Sequence, residues 1–157
     1  MINTKIELEK LEGTFHIIYT NFPMWLNGNK TDPMISYLIE EKNNVKGLRD
    51  QVDYQHNGKI HSILGFDKPL NELNTEFEWH GKGITGFITS KWQILYIDEQ
   101  YDWMLIHFQK TLFTPEGYDV LSKRKTPSEN QLIDIQNKLK ELDLLDDLTA
   151  LRLSNHE

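Results

Sequence analysis

The sequence predicts an all-β protein, a closed eight-stranded antiparallel β-barrel with a C-terminal α-helix packed on the outside. Apolar residues recur at every second position in eight short windows, which is typical of half-buried strands. One capped helix follows the last window, and the segment 103–108 is apolar on both faces. Because such a strand must be covered on both sides, we expect one face inside a barrel and the other beneath the helix.

The eight windows are separated by turn signals. Between the third and fourth windows, Asn57-Gly58 is the strongest short-range signal for a two-residue hairpin. Glu99-Gln100 indicates a second hairpin between the sixth and seventh windows. The predicted strands are Thr14–Thr20, Met34–Glu41, Gly47–His56, Lys59–Phe66, Thr75–His80, Lys91–Asp98, Asp102–Gln109 and Tyr118–Lys123.

The helix is predicted from its first turn. Thr126 is the expected N-cap, Pro127 the first helical residue, and Glu129 lies three residues after the cap, which together form a capping box. An apolar stripe at helical spacing follows, made of Leu132, Ile135, Leu139 and Leu142. The tail Leu144–Leu153 is predicted to form a second, shorter helix.

Length and composition predict a single domain over residues 1–157, with the barrel at about 11–124 and the helical segment at about 126–153. The absence of cysteine excludes disulfides, thiol nucleophiles and thiolate metal sites. A net charge of −7 argues against a nucleic-acid partner. The sequence shows neither a signal-peptide h-region nor an apolar run of membrane-spanning length, so we expect a cytoplasmic protein without a membrane span.

Three spots in the sequence carry a resemblance to the lipocalin family of the calycin superfamily, in its bacterial and apolipoprotein D-like form. Leu11-Glu12-Gly13-Thr14-Phe15 resembles the Gly-x-Trp signature of the first strand, as a divergent Gly-x-Phe opening. Ile97-Asp98-Glu99-Gln100-Tyr101, followed by Met104-Leu105-Ile106, resembles the Asp-x-x-Tyr turn between strands six and seven. Leu121-Ser122-Lys123, running into Thr126-Pro127, resembles the Leu-Ser-Arg-Thr-Pro ending. The resemblance implies a lipocalin-like, eight-stranded up-and-down barrel that carries a small hydrophobic ligand.

The first and last of these spots depart from the family pattern. Phe15 stands where the family has tryptophan, and either Lys123 or Arg124 must replace the arginine that packs over that ring. A cation–π contact survives either replacement, although phenylalanine is a weaker partner than tryptophan.

The interior of an eight-stranded barrel holds side chains or one small ligand, so the inward residues define the predicted site. By alternation the inward set also includes Ile17, and the alternative is a filled core without a ligand. The predicted ligand-binding residues are Tyr19, Trp25, Val52, Tyr54, Leu64, Phe66, Phe77, Trp79, Tyr96 and Asp119.

The connection 21–28 between the first two strands carries Phe22, Met24, Trp25 and Leu26. A contiguous apolar patch in water is unfavourable. We expect this loop either to fold over the barrel mouth as a lid or to pack on the rim without a gating role.

Polar groups inside the barrel would orient a ligand headgroup. Asp50 shares the face of Val52 and Tyr54, and Asp119 shares an inward face with Leu121; the alternative is that local twist places each carboxylate in water.

The face of the seventh strand stays open at this stage. A two-residue turn at Glu99-Gln100 places Trp103, Leu105 and His107 on the same face as Ile94 and Tyr96, whereas the lipocalin alignment favours Met104 and Ile106 inward. His107 is accordingly either a base in the pocket or a group near the helix.

The sequence thus predicts a protein that binds a small hydrophobic molecule, such as a fatty acid, lipid or isoprenoid, for storage or transport and without a cofactor or metal. One alternative is an enzyme of the isomerase or cyclase type, with Asp50, Asp119 or His107 as acid or base. Another is a protein-interaction module that uses the Phe22–Leu26 patch or the acidic C-terminal region. The sequence predicts neither the identity of the ligand nor the oligomeric state.

Overall fold

The computed structural model describes residues 2–151. Its helices are α1 (Leu8–Leu11), α2 (Pro23–Leu26) and α3 (Glu129–Glu141), and a 3-10 turn covers Gly83–Thr85. The strands are β1 (Gly13–Thr20), β2 (Thr31–Lys42), β3 (Val45–His56), β4 (Lys59–Pro69), β5 (Glu76–Gly81), β6 (Thr89–Ile97), β7 (Trp103–Phe108), β8 (Gly117–Ser122) and β9 (Thr149–Ala150).

Strands β1–β8 close into one antiparallel barrel. Each strand pairs with the next in the chain, and β1 pairs with both β8 and β2. The hairpin at Asn57-Gly58 is confirmed: both residues have positive φ, and His56 pairs with Lys59 across the turn. The predicted fold class is therefore confirmed. No helix among the described residues is long and apolar enough to cross a membrane.

The end of the described chain differs from the prediction. The tail was predicted to be helical, but residues 144–148 contain turns, and β9 pairs with Tyr19 and Thr20 of β1. It occupies the edge of β1 that β2 leaves free, because β2 pairs only with Gly13–His16. The helix prediction is thus wrong over 144–151, and its last two residues lie outside the described range.

The N-terminal segment closes one end of the barrel. Ile6, Leu8 and Leu11 are buried in the interior cluster, and the Ile6 N–H donates to the carbonyl oxygen of Leu73 at 2.9 Å. At the same end, Lys123 Nζ lies 5.7 Å from the centroid of the Phe15 ring. The expected cation–π contact over Phe15 is therefore present, and Lys123 rather than Arg124 makes it.

Helix α3 begins two residues later than predicted. Ser128, not Thr126, is the N-cap, and its side chain accepts a hydrogen bond from Gln131 N–H at 3.2 Å. Of the predicted stripe, Ile135 and Leu139 are fully buried, whereas Leu142 is exposed. The shift leaves the packing direction of the helix unchanged, because the same stripe supplies its buried residues.

Strand β7 is buried on both faces, as its sequence predicts. Met104 and Ile106 pack in the barrel interior, and Trp103 and Leu105 pack with α3. Leu105 lies on the side of Tyr96, with which it pairs, but both residues face out of the barrel because a register shift separates Ile94 from Tyr96. The turn itself is longer than two residues, since Asp98 accepts hydrogen bonds from Gln100 and Asp102 N–H. The register then pairs Ile97 with Met104.

Candidate functional site

The barrel encloses a cavity of about 340 Å³, reached from the end opposite α1. Loops 21–30, 82–88 and 109–116 surround that end. Most of the cavity wall is aliphatic or aromatic, and among the described residues no lysine, arginine or histidine contributes to it. The lining residues are Ile17, Phe22, Pro23, Met24, Trp25, Ile35, Asp50, Val52, Ile63, Trp79, Ile88, Ser90, Phe108, Thr111, Phe113, Thr114, Pro115 and Asp119.

Four of the predicted site residues lie in the wall of this cavity: Trp25, Val52, Trp79 and Asp119. These four residues lie on α2, β3, β5 and β8, respectively. They lie close together because closure of the barrel brings the inward faces of distant strands together. Contact between these four residues and a ligand stays a prediction.

Two further predicted residues face inward without reaching the cavity wall. Phe77 is fully buried and stacks on Trp92, with ring centroids 4.5 Å apart. Tyr54 packs against Trp25 in a T-shaped contact at 5.7 Å. Both residues support the walls of the cavity as parts of the interior cluster.

The prediction that Leu64 and Phe66 face inward is wrong. The two-residue hairpin pairs Val52 with Ile63 and Asp50 with Gly65, and directly paired residues share a face. Ile63 therefore lines the cavity, and Leu64 and Phe66 lie on the outer face. Gly65 is small by necessity, because a Cβ atom there would lie 2.0 Å from Nε1 of Trp79.

Tyr19 and Tyr96 were also predicted to face inward, and both lie outside the barrel beneath α3. A register shift separates Ile17 from Tyr19 in β1, and another separates Ile94 from Tyr96 in β6. A bulge of this kind inserts one residue and exchanges the faces of all that follow. Tyr96 accordingly packs on Trp103, and Lys138 of α3 lies 4.4 Å from its ring centroid.

The first loop is packed into the mouth rather than spread over water. Phe22 and Trp25 are buried, and Phe22 lies against Gly117, where a Cβ atom would clash with its ring at 2.2 Å. Phe22 N–H also donates to the hydroxyl of Thr20 at 3.0 Å. These contacts hold α2 in the cavity wall, so the Phe22–Leu26 segment offers no continuous exposed patch for a protein partner.

Three carboxyl groups lie inside the barrel, on strands β3, β4 and β8. Asp50, Asp67 and Asp119 are 6%, 0% and 3% exposed, and one oxygen of each has no hydrogen-bond partner among the described residues. Asp67 accepts a hydrogen bond from Nε1 of Trp92 at 2.9 Å. A charged carboxylate buried without a cation is costly, so protonation of these groups is favoured.

Burial raises the pKa of all three carboxyl groups. The pKa of Asp119 rises from 3.8 to about 7, although a hydrogen bond from Thr20 partly offsets the effect. The pKa of Asp67 lies well above its ordinary range because of burial and the adjacent Asp50 charge. Burial raises the pKa of Asp50 as well, and its interaction with Asp67 lowers it, so the proton is held preferentially on Asp67.

Sequence reasoning missed Asp67, although a signal for it was present. Asp67 lies two residues from Gly65, so the hairpin register that places Gly65 inward does the same for Asp67.

His107 lies outside the cavity. Its Nε2 contacts Oε1 of Glu116 at 2.8 Å, and its ring packs on Tyr118 at a centroid distance of 4.7 Å. Of the three acid–base candidates, therefore, Asp50 and Asp119 line the cavity and His107 does not.

The mouth of the cavity carries an aromatic pair. Phe87 and Phe113 extend from facing loops, are 75% and 68% exposed, and meet edge to face with ring centroids 6.1 Å apart. Phe113 also lines the cavity. The pair thus stands where a ligand would enter.

The structure is similar to several solved structures. Insecticyanin from the tobacco hornworm Manduca sexta gives a TM-score of 0.72 at 13% identity, covering 97% of this chain and 83% of that one. The allergen Per a 4 from cockroaches gives 0.69 at 12% identity, covering 98% and 94%. The siderocalin Ex-FABP gives 0.65 at 10% identity, covering 94% and 96%.

Insecticyanin and siderocalin are lipocalins, so the barrel has the lipocalin fold. At these identities the likeness concerns the fold alone. The sequence itself matches no protein-family model and no curated protein.

Proposed function

We propose that this lipocalin-fold barrel binds a small hydrophobic molecule in its cavity, in a storage or transport role. The observation that carries the proposal is the cavity itself: about 340 Å³ inside the barrel, walled mainly by apolar side chains. That volume falls within the range of roughly 300–1,000 Å³ usual for small-molecule sites. Removal of apolar ligand surface from water would supply the affinity, on the order of 25 cal/mol per Å².

The surroundings of the cavity support the same proposal. Residues of α1 close one end of the barrel, and apolar residues of the loops surround the open end, through which a ligand would enter. Among structurally similar proteins, siderocalin Ex-FABP functions through dual ligand specificities. A barrel filled solidly with side chains would have favoured a protein-interaction module instead.

Titration with phenylnaphthylamine, a neutral dye whose fluorescence rises in apolar surroundings, tests the proposal. We expect saturable binding with a stoichiometry of one dye per chain, displacement by long-chain alcohols, and a higher unfolding temperature when ligand is present. Native mass spectrometry of freshly purified protein would reveal a copurified molecule. Absence of saturable dye binding and of any thermal shift across an apolar library would contradict the proposal.

Acid–base chemistry on an apolar substrate is a second candidate function. The observation in its favour is that Asp50 and Asp119 both line a largely apolar cavity, and Asp119 has a pKa of about 7. A carboxyl group with a pKa near the working pH is suited to proton transfer. Proton abstraction next to a carbonyl would appear as deuterium incorporation into cyclic enones in heavy water, lost in Asp119→Asn. No incorporation across the panel would remove this candidate.

A further inference from the structure

The cavity has a polar end that an entirely apolar ligand would leave without partners. Asp50 and Asp119 line it, are more than nine-tenths buried, and each has one carboxyl oxygen without a hydrogen-bond partner among the described residues. Buried oxygens in this state require a donor, since an unsatisfied polar group costs stability. The cavity wall therefore selects for a ligand with a hydrogen-bond donor at one end.

The charge of the cavity further restricts which kind of hydrogen-bond donor the ligand can carry. Among the described residues, the titratable groups that face the barrel interior here include no base: they are Tyr37 on β2, Asp50 and Tyr54 on β3, Asp67 on β4 and Asp119 on β8. Lys30 of the first mouth loop lies with its Nζ 5.1 Å from the centroid of the Tyr54 ring, and it does not line the cavity. An anionic ligand would meet no cation among these groups and would be repelled by each carboxyl group that is ionised.

The aromatic part of the wall favours a cation as well. Phe22, Trp25, Trp79 and Phe108 all line the cavity. Aromatic faces attract ammonium groups, and the attraction is stronger in a desolvated site. Carboxylates and aromatic rings together make up the usual surroundings of a bound organic ammonium ion.

We propose that the ligand of this cavity is a hydrophobic amine, whose ammonium group is held by the carboxylates of Asp50 and Asp119 while its chain fills the apolar wall. This inference rests on the proposed binding function and replaces the fatty acid among the expected ligands. Binding shifts the proton balance: each neutral carboxyl that pairs with the ammonium ion releases one proton to solvent. The ammonium ion itself stays intact.

Three ligands with the same alkyl chain separate this inference from the proposed function. Decylamine, decanol and decanoate are each used to displace phenylnaphthylamine near pH 7. We expect decylamine to bind about tenfold or more tightly than decanoate and more tightly than decanol. Equal or tighter binding of decanol or decanoate would overturn the amine inference and leave the proposed function standing. Failure of the dye and all three ligands to bind would overturn both.

Isosteric variants test whether the carboxyl groups cause the tighter binding of decylamine. Asp119→Asn and Asp50→Asn should each weaken decylamine binding about tenfold while leaving decanol binding unchanged. Asp53→Asn is the matched control, because Asp53 lies on the outer face of the same strand and contacts Gln51 and Ser62. Unchanged decylamine affinity in both cavity variants would overturn the inference.

A measurement on the unaltered protein keeps the test independent of folding in the variants. Calorimetric titration of decylamine near pH 6 in buffers of different ionisation enthalpy should show net proton release. Decanol should show none. Proton uptake, or no proton exchange, on decylamine binding would contradict the proposal.

Discussion

The two faces of strands β7 and β8 differ sharply in chemistry. The outer face carries Trp103, Leu105 and Val120 beneath Ile135 and Leu139 of α3, and all five are at most 2% exposed. The inner face borders a cavity of about 340 Å³ and includes a carboxyl group, Asp119. The outer face thus belongs to a filled apolar core. The inner face borders an open cavity and carries a buried carboxyl oxygen that has no hydrogen-bond partner among the described residues.

This difference indicates a division of roles between the two faces of each strand: the outer face stabilises the fold, and the inner face serves ligand binding. Filled apolar contacts stabilise the fold, whereas a cavity and a buried carboxylate both lower stability and are retained where a ligand can use them. Substitutions on the outer face should therefore change stability, and those on the inner face should change binding. Five predictions test this division, of which the first four stand in order of decreasing effect.

Truncation beneath the helix should have the largest effect. Leu139→Ala removes a fully buried side chain of the outer core, so we expect the free energy of unfolding to fall by about 2–5 kcal/mol. Urea denaturation measures the loss, and dye affinity of the folded protein should be unchanged. Ile133→Ala is the control on the same helix, where the side chain is 53% exposed and the change should be small. A large loss of affinity in Leu139→Ala would break the division.

The pH dependence of stability should identify Asp119. Its pKa is about 7 in the folded protein and 3.8 ordinarily, so the folded state binds the proton more tightly. Stability contributed by this group is present at low pH and is lost as pH rises to about 7. Between about pH 5 and pH 7 we expect a loss of about 2 kcal/mol, to which Asp50 and Asp67 add in the same direction.

The difference between the wild-type protein and Asp119→Asn isolates the share of Asp119 in this slope. Urea denaturation at several pH values should give a flatter profile in the variant, with higher stability near pH 8. Asp53→Asn should follow the wild-type slope. Parallel profiles for wild type and Asp119→Asn would show that the carboxyl group is not desolvated in the folded state.

At the mouth, Phe113→Ala should change ligand exchange more than stability. Loss of the Phe87–Phe113 contact widens the entry, so we expect the dye to dissociate about fivefold faster. Stopped-flow fluorescence measures the rate. Leu112→Ala is a matched control, since Leu112 is 97% exposed and does not line the cavity. Equal rates in the two variants would show that the aromatic pair does not restrict exchange.

The smallest effect concerns the closed end. Lys123→Gln removes the ammonium group above Phe15 and should cost about 0.5 kcal/mol, typical of an exposed cation–π contact. Lys110→Gln, a substitution of an exposed loop lysine, corrects for the change in net charge. Equal free energies of unfolding for the two variants would show that the Lys123–Phe15 contact does not stabilise the fold.

The barrel and its covering helix could be predicted because two independent signals agree. A strand apolar on both faces requires cover, and a capped helix with one apolar stripe supplies it. The resemblance predicted a cation over the Phe15 ring but left Lys123 and Arg124 as alternatives, and the structure places Lys123 there. The exact cap was not, because Thr126 and Ser128 both offer a capping hydroxyl.

The inward faces were harder to predict, for two physical reasons. In β4 the alternation was assigned from Ile60, Leu64 and Phe66, whereas the register of the Asn57-Gly58 hairpin decides the face and selects Ile63. In β1 and β6 the bulges at Ile18 and Leu95 leave no mark in the sequence, because apolar residues occupy both faces there. The predictions for Tyr19 and Tyr96 were wrong for that reason. Asp67 was missed because the wrong face of β4 was assigned to the interior.

The most direct test of the division is to fill the cavity from the inner face of one strand. Val52→Phe places a ring in the cavity, and Gln55→Phe adds the same ring to the exposed outer face of β3. Phenylnaphthylamine titration of both folded variants is the decisive measurement. We predict that Val52→Phe loses saturable binding and that Gln55→Phe retains it; equal binding by both would show that the ligand lies outside the barrel.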